Sequence, residues 1–493
     1  MALVDLKIPP GVYRNGTDLQ GEGRWRDVNL VRWHDGLMRP VGGWRKKSTT
    51  AAPNKLRGML SWTDNSGNRY IASGTYNKLF AYTNAGVKYD ITPVALSAGR
   101  EDAAAFTAYG SGFYGTLAYG VARQDTTNIQ PATVWNLQPW GENLLAQNAD
   151  DGKIYEWALN TSTPAALLSN APTSNEAILV TDERFVFALG AGGNPRKVQW
   201  SDREDNNTWT PATTNEAGDL ELATTGTIMA GVNVRGGSLI LTSRDAHFAT
   251  YQGPPYVYGI ERVGTACGLA AALACVVVDQ GAVWMGVNSF FAYNGSSVAE
   301  LNSEVSDYVF NDINKAQISK VFGVSNSLYN EIWWYYPSSG STENDRYVVY
   351  NYSENTWYIG NLDRTAGADR GAFRQPMLAD ASDMYIYEHE VGFDYSGLTP
   401  FAETGPFRIG TGENVVSVTG LIPDEKNLGD VNATFKARFF PTGTERSYGP
   451  FSLTNPTSVR FTGRQLRLRV EGQKLTDWRV GINRVNAVSG GQR

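Results

Sequence analysis

Tyr347-Val348-Val349-Tyr350-Asn351-Tyr352-Ser353-Glu354-Asn355-Thr356-Trp357 reads as a short apolar strand, a polar turn and a tryptophan. Asn, Asp and Ser side chains accept hydrogen bonds from nearby backbone and fix tight turns, while an indole beneath the turn packs against a neighbouring sheet. Trp200-Ser201-Asp202 through Asn207-Thr208-Trp209 repeats the plan. Outward from these, the apolar strand recurs as Leu79-Phe80-Ala81-Tyr82, Ile154-Tyr155-Glu156-Trp157, Val198-Gln199-Trp200, Phe248-Ala249-Thr250-Tyr251, Phe290-Phe291-Ala292-Tyr293 and Met384-Tyr385-Ile386-Tyr387. In chain order, the last aromatics of the seven strands are 75, 43, 51, 42, 57 and 37 residues apart. The gap of 75 holds a stretch of different composition, 94–130, and the gap of 57 holds a helix signal. There Val305, Tyr308, Val309 and Ile313 share a face after Ser303 as the expected cap. Without these insertions the period is about 40 to 50 residues, the length of a four-stranded propeller blade.

The chain has 493 residues and 58 aromatics, more than one hydrophobic core can accommodate, so several small cores are expected. At the C-terminal end Leu466, Leu468 and Val470 alternate with Arg467 and Arg469, and Phe435, Ala437 and Phe439 alternate with Lys436 and Arg438. Such alternation marks half-buried antiparallel strands. The expected fold is therefore all-β. It comprises an N-terminal arm over 1–50, a β-propeller of six or seven blades over 51–395 with the inserted loop at 94–130, and a sandwich-like β platform domain over 396–493. The Asn/Asp/Ser turns with a buried Trp resemble those of kelch and Asp-box propellers, where they are structural.

The net charge is −6, but it is unevenly spread. Residues 1–60 carry 11 basic and 5 acidic side chains, 61–430 carry 21 and 41, and 431–493 carry 11 and 3. An acidic body of charge −20 thus lies between two basic ends. That body argues against a clamp on a nucleic acid backbone, which needs clustered cations. No signal peptide is expected, since Asp5 and Lys7 interrupt the first apolar residues. The apolar run Leu269 to Val278 is ten residues long, too short to span a bilayer as a helix, so no membrane segment is expected. Cys267 and Cys275 read as buried thiols of a protein assembled in a reducing cytoplasm.

Chemistry-bearing motifs are few. No P-loop, dinucleotide fingerprint or G-x-S-x-G elbow is present, and Gly190 to Pro195 lacks the required spacing. His34, His247 and His389 are too scattered for an obvious metal cluster. In a strand, Glu388 and Glu390 would face away from His389, so this trio reads as a polar hairpin end. Asp64 to Asn68 and Asp150 to Gly152 have the flavour of Ca²⁺ loops but lack the closing glutamate, and read as hairpin turns. A propeller glycosidase of the sialidase kind would need an arginine triad and a Tyr/Glu pair, which a sequence alone does not group in space. No cofactor, metal or catalytic activity is expected.

Phe106, Tyr109, Phe113, Tyr114 and Tyr119 alternate with Gly, Ala, Ser and Thr. Glycine makes such a loop permissive, and its aromatics give it surface to bury. It packs either on its own propeller or, as a projecting tip or gate, on a neighbouring subunit or partner.

Four places resemble the tail nozzle proteins of short-tailed bacteriophages, also called packaged-DNA stabilisation or tail-tip proteins. They are Pro9 to Val12 with Gly23 to Trp33 and Arg39 to Trp44; Val263 to Gly268 with Trp284 and the helix signal; Tyr387 to Asp394 with Gly410 to Glu413; and Arg464 to Val470 with Trp478 to Gly481. The resemblance implies a virion tail protein forming a ring of six copies below the portal and adaptor. The ring would retain packaged DNA, let it exit at infection and offer side surfaces to fibres or spikes. A lumen lined by carboxylates would repel phosphate, so DNA would pass without being bound. Both basic ends would form the platform facing the adaptor, with Arg24, Arg26, Arg32, Arg467, Arg469 and Arg479 as contacts; the alternative is that these arginines pair with acids of their own or a neighbouring subunit. The runner-up function is a propeller that binds or cleaves glycan on the host surface.

Overall fold

The computed structural model describes residues 2–109, 111–113, 118, 121–279, 281–409, 414–441, 443–454 and 456–491. Within them lie eight four-stranded antiparallel sheets, of which seven are propeller blades. Each apolar strand picked out of the sequence overlaps the third strand of a different blade. The blade number is therefore seven. The first strands, Met59–Thr63, Trp135–Trp140, Ala177–Val180, Ile228–Val234, Cys275–Val278, Phe322–Asn326 and Arg364–Ala368, pack each against the next and the last against the first, closing the circle.

Closure needs the N-terminal arm. The seventh blade takes only three strands from residues 364–389, and its outer strand is Trp44–Lys46, with His389 opposite Trp44 and Tyr387 opposite Lys46. Residues 44–46 thus belong to the propeller, although the sequence reading placed them in an arm joining the platform.

Tryptophans stitch adjacent blades. Thirteen of the 14 are buried, and a buried indole N–H must find an acceptor. Trp62 Nε1 donates to the Glu142 carbonyl at 2.9 Å, Trp135 Nε1 to Thr75 at 2.7 Å and Trp334 Nε1 to Ala274 at 2.9 Å, each across a blade seam. The polar turns follow the expected chemistry: Asn351 Oδ1 accepts from the N–H groups of Ser353 and Glu354, and Trp209 Nε1 donates to the Asn206 carbonyl. Along the axis the first strands leave a cavity of about 170 Å³. That space holds a few water molecules and no nucleic acid.

The platform is a sandwich of two sheets. One orders Trp25–Asn29, Phe401–Thr404, Gln465–Gly472, Val431–Arg438 and Arg446–Ser452; the other orders Ala2–Asp5, Arg484–Ser489, Val416–Ile422 and Phe461–Gly463. Each sheet thus carries one edge strand from the N-terminal arm. Leu466, Leu468 and Val470 are buried as their alternation predicts. The helix Ser306–Asp312 is a single short element whose N-cap is Val305 and not Ser303; the Ser303 hydroxyl instead accepts from the Val305 N–H at 3.2 Å. Among the described residues no helix is long and apolar enough to cross a membrane.

The seam between blades one and two leaves no room at Gly74, where a Cβ would sit 2.2 Å from Trp135 Nε1. Gly74→Ala is expected to lower stability by about 1–3 kcal/mol through overpacking. Gly340→Ala, where nothing lies within 4 Å, should be close to neutral. Denaturant unfolding of the two variants checks this, and equal midpoints would refute the seam argument.

Candidate docking surfaces and the arm joint

Between its sandwich strands and its propeller strand, the arm forms a hairpin, Val31–His34 with Leu37–Pro40. Val31, Arg32 and Trp33 of this hairpin are all buried, and Arg32 is only 1% exposed. Its guanidinium meets two carboxylates. Nε and Nη2 lie 2.9 Å from the Glu331 oxygens in blade six, while Nη1 donates to Glu390 Oε2 at 3.0 Å and Nη2 to Glu390 Oε1 at 2.5 Å. Glu390 also accepts from the Gly42 N–H at 2.9 Å and from Asn326 Nδ2 at 2.9 Å; Glu331 accepts from Trp333 Nε1 at 2.9 Å. The Arg32 guanidinium also lies 3.7 Å from the Tyr329 ring centroid.

Burial pushes the Glu331 carboxyl up, to about 7, against the pull of Arg32. Every neighbour aimed at that carboxylate is an N–H donor, so a proton there would find no acceptor. Burial would raise Glu390 as well, but Arg32 and the converging donors hold it below the usual carboxylate range. Next to this cluster His389 is buried, stacked on Trp44 at 5.3 Å, and accepts at Nε2 from Arg364 Nε at 3.0 Å. Burial and then Arg364 push its pKa well below the usual value, so the imidazole is neutral. The trio Glu388-His389-Glu390 is therefore no exposed hairpin end. Glu390 has φ +59°, which bends the chain and carries its side chain to Arg32.

The six arginines named from sequence are all paired within the chain. Arg24 pairs with Glu304, Arg26 with Asp18 at 3.0 Å, Arg467 with Asp18 at 2.7 Å and Glu445 at 2.9 Å, Arg469 with Glu403 and Glu471, and Arg479 with Asp477 at 2.9 Å. Arg32 lies in the interior and offers nothing to a partner; the other five keep partial exposure. Pairing within the subunit, one of the two readings open at the sequence level, describes all six. Sequence reasoning missed Arg446, Arg460 and Arg484, which are exposed on the platform and have no acidic partner among the described residues. Only the folded positions of the carboxylates separate these three from their paired neighbours.

The stretch 94–130 contains a separate two-stranded hairpin, Ala104–Ala108 with Arg123–Gln130. Its base is held by the blades it connects, where Arg100 pairs with Asp150 of blade two and the Gly99 N–H donates to the Tyr76 carbonyl of blade one, and also by the turn Lys315–Lys320 that leads into blade six. The Gln317 amide makes two hydrogen bonds with the backbone of Ala103, at 3.0 and 2.8 Å, and the Ala132 N–H donates to Ser319 Oγ at 3.0 Å. Beneath them Lys320, fully buried, donates to Asp102, to the Thr342 carbonyl at 2.6 Å and to Glu343 at 2.7 Å; Arg57 of blade one reaches the same Glu343 oxygen at 2.6 Å. Burial would raise Glu343, but Arg57 and Lys320 outweigh it and hold the carboxyl down at about 2. Beyond this anchor, Phe106 is half-buried, whereas Tyr109 and Phe113 are 77% and 78% exposed. Tyr114 and Tyr119, and Gly410 to Glu413 of the propeller exit, lie outside the described residues.

Histidine 34 approaches Asp35 at 3.6 Å and Glu354 at 3.9 Å on the surface, a grouping hidden in the sequence by the distance between its members. Asp64 Oδ1 accepts from the N–H groups of Ser66 and Asn68, the bonding of a hairpin turn.

No family model matches the chain, and no curated protein matches it. Solved structures that it resembles are propellers. A streptogramin B lyase matches with TM-score 0.41 and 9% identity over 70% of this chain and 96% of its own. Virginiamycin B lyase from Staphylococcus aureus gives 0.42 and 8%, over 70% and 99%. The N-terminal domain of Nup159 gives 0.38 and 8%, over 74% and 98%. At this distance the likeness extends to architecture alone.

Two outcomes follow from the buried charges. Arg32→Met leaves two carboxylates without their cation and is expected to cost about 3–5 kcal/mol, whereas Arg32→Met with Glu331→Gln and Glu390→Gln should recover much of it. Unfolding midpoints of the single and triple variants check this; a single variant as stable as the parent would contradict it. Because the folded Glu343 pKa lies below its unfolded value, the anchor's contribution is complete above pH about 4.5 and is lost as pH falls toward about 2. Hydrogen-exchange protection at Ala104–Ala108, taken relative to the chemical exchange rate at each pH, should fall across that window, and Lys320→Met should bring the same loss of protection at neutral pH.

Proposed function

We propose that this chain is a structural subunit of the tail nozzle of a short-tailed bacteriophage. Six copies form a ring beneath the adaptor, the ring retains packaged DNA and releases it at infection, and no catalysis is involved. One observation carries most of the weight beside the sequence resemblance: charge is divided between bodies. The propeller, residues 44–395, has 24 basic and 36 acidic side chains, whereas the arm and sandwich together have 19 and 13. The propeller charge of −12 is smaller than the −20 of residues 61–430, because the basic run around Arg45 to Arg57 belongs to the propeller and several acids after residue 396 belong to the platform.

The narrow axis constrains this reading. A propeller whose axial cavity is about 170 Å³ cannot carry DNA through its own centre, so the channel must form between copies. Acidic propellers around a shared lumen would repel phosphate and let the duplex slide. The positive platforms would face the adaptor through Arg446, Arg460 and Arg484, whose charge is not used within the chain. The hairpin with exposed Tyr109 and Phe113 supplies a projecting element suited to a tip or gate, and propeller sides remain for fibres or spikes.

The test is assembly. The purified chain should form a sixfold ring with a central hole in negative-stain images, and a strict monomer at micromolar concentration would count against the proposal. Arg446→Glu, Arg460→Glu and Arg484→Glu together should leave the monomer's unfolding midpoint within about 0.5 kcal/mol of the parent, as expected for surface sites. The same triple variant should strip the ring from purified virion tails; full occupancy would remove these arginines from the docking role.

A further inference from the structure

Two open clefts adjoin on blades four and five. The first, of about 530 Å³, runs from the turn Ser243-Arg244 to Asn288 and Ser289. The second, of about 400 Å³, continues to Asn302, Ser306 and Asn15 of the arm. Ser289 and Glu300 line both, so the clefts form one groove.

Some of its polar groups are paired and some are free. The Arg244 guanidinium and the Asn288 and Asn302 amides make no hydrogen bond among the described residues, and all three are exposed. Glu300 accepts from Ser289 Oγ at 2.5 Å through one oxygen and keeps the other. Phe291 lines the first cleft, half-buried, with its ring stacked on Trp284 at 6.0 Å.

The chemistry of this set selects among ligand classes. One cation and one anion cancel, so the groove lacks the clustered positive charge that a nucleic acid requires. Polar and apolar surface share the lining about equally, and its polar side chains keep free donors and acceptors, unlike the apolar centre of a protein interface. Planar amides and carboxylates that alternate donors with acceptors match vicinal hydroxyls, and an aromatic ring matches the C–H face of a pyranose. The combined volume suits a ligand of several rings. We infer that the groove between blades four and five binds an oligosaccharide. Arg244 and Glu300 hydrogen-bond one sugar, Phe291 packs against its ring, and Asn288 and Asn302 hold sugars further along. This site does not depend on ring assembly and would exist on a single copy.

The test uses the full chain on a printed array of bacterial surface oligosaccharides, with any retained glycan titrated in solution. At least one glycan should bind with a dissociation constant of about 1 mM or tighter. Arg244→Ala should weaken it about tenfold, as should Asn288→Ala, the loss expected for a single well-made hydrogen bond. All three of Arg244, Asn288 and Asn302 are surface residues, so their combined replacement by alanine should abolish binding with the unfolding midpoint unchanged. An array without a retained glycan would overturn the inference, as would binding that survives the triple replacement. Equal retention of sulfated glycans and DNA, lost at high salt, would also overturn it, since that is general charge attraction.

Discussion

The guanidinium of Arg32 is the point at which the arm meets two successive parts of the propeller. It comes from the arm hairpin, Glu331 from blade six, and Glu390 from the chain leaving blade seven. Taking these charges out of water costs several kcal/mol per ion, and their attraction repays it only when geometry and hydrogen bonds are complete. Here they are nearly so, because Gly42, Asn326 and Trp333 supply the remaining donors. A cluster of this kind adds little net stability over an apolar core. What it fixes is register: a slip of one residue in the arm would turn Arg32 to the opposite face, where Val31 and Trp33 are buried, and leave two buried carboxylates bare.

That register matters because the arm makes three connections at once. Its first two strands are edges of the two sandwich sheets, and its last closes blade seven. Neither body is complete without residues made at the other end of the chain. Pairing Trp44–Lys46 with residues near 389, and Ala2–Asp5 with Arg484–Ser489, are contacts of very long sequence separation. Such contacts close very long loops, an entropy cost that the packing of the blades and sheets must offset. Propeller and platform are therefore joined as a consequence of folding rather than docked through a linker.

Much of this was legible. The seven apolar strands marked seven different third strands because a blade's third strand lies between two others and buries apolar or aromatic side chains in every repeat. The paired Asn and Trp turns were legible for the same reason, since their bonds are local. The arm was not. Trp44-Arg45-Lys46 is three residues long with two exposed cations, and nothing local distinguishes it from a loop. The ion pairs were equally hidden: Arg32 and Glu331 are separated by 299 residues, and Glu390 reaches Arg32 only through a left-handed backbone conformation. Alternation told which face Arg467 and Arg469 share, but not that Asp18, Glu403 and Glu445 wait there.

The pairing of those arginines changes how a docking surface should be recognised. A run of basic residues in a sequence suggests a positive patch, yet a cation already bridged to a carboxylate presents a dipole and has little charge left for a partner. Removing it from its pair to serve another would leave the first carboxylate stranded, a cost that an incoming anion must first overcome. Arg446, Arg460 and Arg484 carry no such cost, and being exposed they act at a distance through the Debye length of about 8 Å. Charge that steers or docks is thus the charge left over after folding, and on the platform that remainder lies outside the patterned strand Gln465–Gly472.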